Sequence, residues 1–69
     1  MNFDAVPANI LRYMRMLEIS MEQMAAAIGM SRRNLYRRLN DPKTFTLEEI
    51  SSVCKVCKTT LKNIFMGVD

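Results

Sequence analysis

The stretch SMEQMAAAIGMSRRNLYRRL at residues 20–39 decides the fold of this chain. Its apolar residues recur at helical spacing on both sides of Gly29, which predicts two short helices joined by a tight turn. The second helix has no acidic residue and carries four arginines, Arg32, Arg33, Arg37 and Arg38. This stretch therefore predicts a helical pair whose second member is apolar on one side and densely cationic on the other.

The composition predicts one compact helical domain over residues 1–69. Of the 69 residues, 49% are hydrophobic, and only two are glycine and two proline, which is typical of a folded chain of this small size. No apolar run approaches the roughly 20 residues that cross a bilayer. The N-terminal residues lack the pattern of a signal peptide, so we expect a cytoplasmic protein.

Four helix starts carry a side chain that can cap the helix. The caps are Ser20, Ser31, Thr46 and Thr60. Each hydroxyl can accept a hydrogen bond from a backbone N–H that the helix leaves free, which contributes about 1 kcal/mol. Gln23 and Glu49 complete capping boxes with the first and third of these caps. Together with Pro7, which is tolerated in a first turn, the caps predict helices at about 7–17, 21–27, 32–39, 47–57 and 61–66. No segment alternates for long enough to predict a strand, so the expected fold is an all-α bundle of five short helices.

Helical spacing also predicts the core. Its expected members are Ile10, Met14, Leu17, Met24, Ala25, Ile28, Leu35, Leu39, Leu47, Ile50, Val53, Cys54, Cys57, Leu61 and Ile64, with Tyr13 at the margin. The two cysteines form the only Cys-x-x-Cys motif, and the chain has no histidine. Because a zinc site needs four ligands, we interpret both as reduced core thiols. We expect no metal and no cofactor.

Nearly the whole chain, residues 7–67, resembles the phage repressor and Cro-like helix-turn-helix family, also called the XRE family. The resemblance rests on ISMEQMA at 19–25, IGMS at 28–31 and Leu35. Matches follow at Leu47, Ile50, Val53, Cys54 and Cys57 and in TL..IFMG at 60–67. It implies a five-helix, lambda-repressor-like DNA-binding domain whose helix-turn-helix occupies residues 20–39.

Two departures from the family pattern stand out. Members often join the first and third helices by a buried ion pair, but the matching positions here are Met14 and Leu39. A hydrophobic pair can replace such an ion pair without loss of stability. Met21 stands where many relatives have a glutamine that touches a phosphate and supports the first recognition residue. That contact is therefore absent or is supplied by another residue.

The resemblance places the third helix in the major groove of duplex DNA. The residues expected to contact bases are Arg32, Arg33, Tyr36 and Arg37. An arginine fork can bind guanine O6 and N7, which is worth about 1–3 kcal/mol of discrimination, whereas Tyr36 suits a thymine methyl or a phosphate. Arg38 points away from the groove axis, so we expect a phosphate ligand or a surface residue there. A solvated basic face is the alternative, but four unpaired arginines that begin at a helix N-terminus, where the dipole disfavours cations, argue against it.

Phosphate contacts are also expected on both sides of the third helix. Ser20 and Gln23 lie beside the free N–H groups that begin the second helix. Asn40 and Lys43 follow the third helix and are candidates for a second clamp. Two alternatives remain open, namely that Asn40 caps the helix and that Lys43 is a solvated turn residue.

The apolar residues Phe65, Met66 and Val68 at the C-terminal end indicate a partner surface. The family commonly dimerises through this region, so the resemblance implies a homodimer interface there. The alternative is that Phe65 closes the base of the core.

The resemblance implies a sequence-specific regulator that binds double-stranded DNA, of the phage or prophage Cro-like repressor type. It would occupy an operator as a dimer and would be nucleoid-associated when bound. Two alternatives remain: a protein-interaction module on the same fold, and a regulator of a toxin–antitoxin or restriction system. The chain has no histidine, no glycine-rich phosphate loop and no nucleophile paired with a base. We therefore expect neither an enzyme nor a small-molecule ligand.

Overall fold

A computed structural model describes residues 3–67, and this part of the chain is helical without strands, as predicted. The α-helices are Val6–Leu17 (α1), Met21–Ala27 (α2), Arg32–Asn40 (α3), Leu47–Cys57 (α4) and Leu61–Met66 (α5). Short 3-10 helices at Phe3–Ala5 and Pro42–Thr44 precede α1 and α4. The predicted bounds are confirmed for α2, α4 and α5, whereas α1 begins one residue earlier and α3 ends one residue later. Within the described range, no helix is long and apolar enough to cross a membrane.

The predicted caps account for these bounds. Each of the hydroxyls of Ser20, Ser31, Thr46 and Thr60 accepts a hydrogen bond from the backbone N–H three residues on. Both capping boxes are complete, because Gln23 Oε1 and Glu49 Oε1 accept from the backbone N–H of their caps at 2.8 and 2.9 Å. Local sequence thus specifies where four of the five helices begin.

All five helices contribute to one core. Its buried members are Val6, Ile10, Met14, Met24, Ala25, Leu35, Phe45, Ile50, Val53, Cys54, Cys57, Ile64 and Phe65. Tyr13, Ile28, Leu39 and Leu61 are partly buried against it. Phe45 precedes the cap of α4 and is buried together with Ile50, the fourth residue after that cap. An apolar pair at these two positions is called a hydrophobic staple and fixes how the chain enters the helix. The core therefore includes most of the side chains that helical spacing selected.

Two residues that helical spacing assigned to the core are exposed. Leu17 is 44% exposed and Leu47 is 70% exposed. Leu47 is the first residue of α4, and because helical side chains lean toward the N-terminus, it projects beyond the end of its helix. Leu17 ends α1, where the chain turns away through the left-handed Glu18, at φ 57°. The prediction was wrong for both leucines because periodicity does not show where a helix runs beyond its neighbours.

Cys54 and Cys57 are free thiols buried on the core side of α4, as the sequence suggested. Burial raises the pKa of both thiols, and the proximity of Cys54 adds to the effect at Cys57, whose pKa rises to about 11. Both are therefore protonated at neutral pH, and a thiol is a poor nucleophile and metal ligand. In residues 3–67 no group of three or more His, Cys, Asp or Glu side chains is placed to hold a metal ion.

A buried asparagine joins the first helix to the last. Asn9 Nδ2 donates to the carbonyl oxygen of Ile64 at 2.6 Å, and the residue is only 9% exposed. Gly67 follows α5 in the left-handed region at φ +66°, and a Cβ there would lie 2.8 Å from Asn9 Oδ1. A second bond, from Thr59 Oγ1 to Tyr13 Oη at 2.9 Å, ties α1 to the loop before α5. The two ends of the bundle thus meet so closely that a side chain at position 67 has no room.

Substituting the two left-handed glycines separately tests this close approach. Gly29 has φ +76°, but a Cβ there would meet nothing within 4 Å. Gly29→Ala should therefore lower the free energy of unfolding by the backbone strain alone, about 1–2 kcal/mol. Gly67→Ala also displaces the buried Asn9 amide, so we expect about 2–5 kcal/mol in total. Urea unfolding followed by circular dichroism measures both losses.

The control is the same substitution in an Asn9→Ala background. There the atoms that the new Cβ would strike are gone, so Gly67→Ala should cost no more than Gly29→Ala. Equal losses for the two glycine substitutions in the unaltered chain would show that the close approach does not exist.

The raised pKa of Cys57 predicts a loss of stability in alkaline solution. The thiolate forms in the unfolded chain near the ordinary pKa of 9.0 but in the folded protein only near 11. The contribution to stability is therefore full below pH 9 and is lost as the pH rises through this window. Cys57→Ala should flatten the dependence of the free energy of unfolding on pH between these values. An unchanged slope in urea titrations at several pH values would contradict this.

Candidate nucleic-acid interface

One side of α3 faces the core and the other faces solvent. Leu35 is fully buried, and every other residue of the helix is partly or fully exposed. At about 100° per residue, Arg33 and Arg37 lie opposite Leu35, whereas Arg32 and Arg38 lie on its two flanks. The four arginines therefore fall into two pairs, which we call the outward pair (Arg33 and Arg37) and the flanking pair (Arg32 and Arg38).

The flanking pair has carboxylate partners on neighbouring helices. Arg32 Nη1 lies 3.4 Å from Glu22 Oε1 of α2, with both side chains largely exposed. Arg38 binds Glu49 of α4 through two hydrogen bonds, Nε to Oε1 at 3.1 Å and Nη2 to Oε2 at 3.3 Å. The expectation of four unpaired arginines was wrong for Arg32 and Arg38. The partners come from helices that are distant in sequence, so the charges within α3 gave no sign of them.

The outward pair projects into solvent beside Tyr36. Neither guanidinium pairs with a carboxylate of residues 3–67, and Tyr36 is 50% exposed. All five N–H donors of each arginine therefore remain for a ligand. This arrangement suits hydrogen bonding to acceptor atoms at guanine edges. The base contacts expected of Arg33, Tyr36 and Arg37 remain predictions that this exposure supports.

Glu49 is held by bonds from two directions. Burial alone would raise its pKa, but hydrogen bonds from the backbone N–H of Thr46 and from Arg38, with the charge of Arg38, hold the pKa below the ordinary value of 4.5. Glu49 is therefore ionised at neutral pH and engages Arg38 on the α4 side of α3. Arg38 keeps Nη1 for a phosphate, but its main contact in this structure is with α4.

The structure places Ser20 and Gln23 at the exposed beginning of α2. Their capping box consumes the backbone N–H groups of both residues. Met21 and Glu22 therefore supply the remaining free N–H groups of this turn, while Gln23 keeps its Nε2 donors. The phosphate contact predicted there stays a prediction, and the donors left for it are these two N–H groups and the Gln23 amide.

Asn40 and Lys43 lie on the other side of α3, and both are exposed. Asn40 is the last residue of α3 and does not cap it, because the C-cap is Asp41. Lys43 lies in a 3-10 helix closed by a bond from Thr44 N–H to the Asp41 carbonyl at 2.9 Å. The segment after α3 is thus an ordered turn that presents Lys43 to solvent.

The expected dimer residues do not share one environment. Phe65 is only 7% exposed and packs edge-to-face against Phe3, with ring centroids 5.1 Å apart. Phe65 therefore closes the core, which is the alternative that the sequence left open, and little of its ring remains exposed for a contact between copies. Met66 is 65% exposed, and Val68 lies outside the described residues.

Asn34 is a candidate that the sequence reasoning missed. It is exposed in the first turn of α3, and its backbone N–H donates to the Ser31 cap. Its side-chain amide can donate and accept at adenine N6 and N7. The helical spacing that selected the arginines also places Asn34 outside the core, and only its lack of charge hid it. Glu22 and Glu49 were missed as partners of the arginines because nothing in the sequence pairs residues across helices.

Comparison with known proteins identifies the family. The model of the Cro/C1-type HTH DNA-binding domain matches residues 9–66, from the second turn of α1 to the end of α5. Searches of curated proteins and of solved structures give no significant match. The matched range contains α2, the turn at Gly29 and the whole arginine-bearing helix. This chain therefore belongs to the family of Cro/C1-type helix-turn-helix DNA-binding domains.

Proposed function

We propose that this protein is a sequence-specific transcriptional regulator that inserts α3 into the major groove of double-stranded DNA. Family membership supports a DNA-binding regulator. The observation that carries the proposal is the outward pair, two exposed arginines that lie opposite the buried Leu35 and have no carboxylate partner in the described residues. A helix with this cationic side fits the groove, which is about 12 Å wide.

The outward pair would read the bases and the neighbouring turns would bind phosphates. Arg33 lies in the first turn of α3, the part that enters the groove most deeply in this family. Arg37 follows one turn later on the same side, so the two forks favour guanines at nearby positions of one half-site. The N-terminus of α2 and the ordered turn at Lys43 lie on either side of α3 and would fix its register on the backbone.

A regulator of this size gains specificity by binding as a dimer. One α3 spans only a few base pairs, so two copies on two half-sites about 10 bp apart would supply the necessary discrimination. The exposed Met66 at the end of α5 supports a contact between copies there. In this proposal the protein is a Cro-like repressor of phage or prophage type that blocks transcription by occupying its operator. It would act in the cytoplasm, at the nucleoid, without a catalytic step.

Selection from a random duplex pool, followed by affinity measurements, tests the reading role of Arg33. Arg33→Ala should weaken binding to the selected site by about 5- to 150-fold, the equivalent of 1–3 kcal/mol, because a guanine contact is lost. Arg33→Lys keeps the charge without the planar fork, so preference for the selected site should fall while affinity for an unrelated duplex is retained. Fluorescence anisotropy at fixed salt concentration gives both dissociation constants.

Lys55→Ala is the matched control, because Lys55 is an exposed cation in the last turn of α4. It removes the same charge away from α3 and should leave the preference unchanged. If the pool yields no enriched motif, or if Arg33→Ala and Lys55→Ala behave alike, groove reading by α3 is wrong. The same fold would then serve better as a protein-interaction module.

Two exposed methionines give a direct test of the dimer contact. Met66 and Met16 are 65% and 67% exposed, on α5 and α1 respectively. Met66→Glu should raise the dimer dissociation constant by about tenfold or more, because two buried carboxylates would face each other across a two-fold axis. Met16→Glu adds the same charge elsewhere and should have no effect. Sedimentation equilibrium measures both dissociation constants. A larger increase for Met16→Glu than for Met66→Glu would place the interface elsewhere.

A further inference from the structure

The arginine-bearing helix α3 is attached to the rest of the domain mainly by apolar contacts. Leu35 is its one fully buried residue, and Leu39 packs at the edge of the core. From α1, Met14 is buried in the same core and is also apolar. Burial of Leu35 sets which side of α3 faces the core, but hydrophobic attraction has no direction, so these contacts tolerate small rotations of the helix about its own axis.

The bond between Arg38 and Glu49 is directional. Both carboxylate oxygens accept from the guanidinium, at 3.1 and 3.3 Å, and a two-point contact of this kind restricts geometry as well as distance. The side chains are only 33% and 19% exposed, so solvent screens this pair less than a surface ion pair. The other tie of α3, between Arg32 and Glu22, is 59% and 76% exposed, and such pairs contribute little.

The carboxylate is itself anchored. Glu49 Oε1 also accepts from the backbone N–H of Thr46 at 2.9 Å, while Thr46 Oγ1 accepts from the backbone N–H of Glu49 at 3.1 Å. The capping box therefore fixes the carboxylate relative to the first turn of α4. Because Arg38 binds this carboxylate, α3 is also held relative to the first turn of α4.

We propose that Arg38 and Glu49 are positioning residues for DNA reading: their two-point bond sets the rotation of α3 against α4 and so aims the outward pair. This inference rests on the proposed DNA-binding function. It assigns Arg38 to holding the helix, in place of the phosphate contact expected from sequence. A reading site needs its side chains within about 0.5 Å of the productive geometry, and a small rotation of α3 moves the tips of long arginines farther than that.

Glu49→Gln is the informative substitution, because it removes the ion pair and keeps the capping box. Gln23 already fills the same box position in α2 of this chain. Its matched control is Glu48→Gln, which makes the same change of charge at the neighbouring exposed residue. The measured quantity is the ratio of the dissociation constants for a scrambled duplex and for the selected operator, at several salt concentrations.

We expect Glu49→Gln to lower this ratio by about tenfold, comparable to one lost base contact, with the salt slope equal to that of Glu48→Gln. Arg38→Met should lower the ratio by a similar factor, and in the Glu49→Gln background it should cause no further loss. If Arg38 instead binds a phosphate for which Glu49 competes, Glu49→Gln would raise operator affinity above that of the control. Arg38→Met would then reduce the salt slope by about one. Either result overturns the proposal.

Amide hydrogen exchange in the free protein gives a readout that needs no DNA. Exchange in α3 should be faster in Glu49→Gln than in Glu48→Gln, while the centre of α1 stays equally protected in both. Equal exchange in α3 overturns the positioning role whatever the DNA assay shows. An unaltered chain that does not discriminate between duplexes, but shows the expected exchange difference, overturns the DNA-reading function and leaves the helix tie in place.

Discussion

The burial of Leu35 is the contact on which the cationic surface depends. As the one fully buried side chain of a nine-residue helix, it determines which side of α3 faces the core and therefore which arginines face solvent. Hydrophobic burial tolerates small rotations of the helix, so its fine orientation has to come from polar bonds. The domain separates the two tasks: apolar side chains hold α3 in place, and carboxylates on α2 and α4 contact its flanks.

Glu49 shows how one residue can serve two levels of structure. Its carboxylate satisfies a free backbone N–H at the start of α4, which is a local requirement of any helix, and it also binds a side chain of α3. Because the capping box already restricts this side chain, pairing with Arg38 costs less side-chain entropy than it would for a mobile glutamate. A carboxylate already fixed by its own helix is thus a better partner for an arginine than one on a mobile side chain.

The sequence was sufficient to predict the helices but not the contacts between them. The caps at Ser20, Ser31, Thr46 and Thr60 act within four residues, so hydroxyls and spacing were enough to place the helix starts. Spacing failed at Leu17 and Leu47, since a helix end can extend past the core that its periodicity implies. The partners of Arg32 and Arg38 lie on other helices, where only the packed structure shows the distances. Exposure of Arg33, Tyr36 and Arg37 agrees with the sequence, whereas Phe65 proved to be a core residue.

The hydrogen bond between Asn9 and Ile64 joins residues that are 55 positions apart, and this separation affects how the domain forms. Closing a loop of that length costs about 3.5 kcal/mol of chain entropy, which one hydrogen bond does not repay. The bond therefore forms only when the intervening helices have packed and reduced that cost. Since α1 completes its contacts with the last helix of the described chain, a nascent polypeptide that ends before α5 lacks the partner for Asn9. Folding should accordingly be a single cooperative event with no stable half-domain.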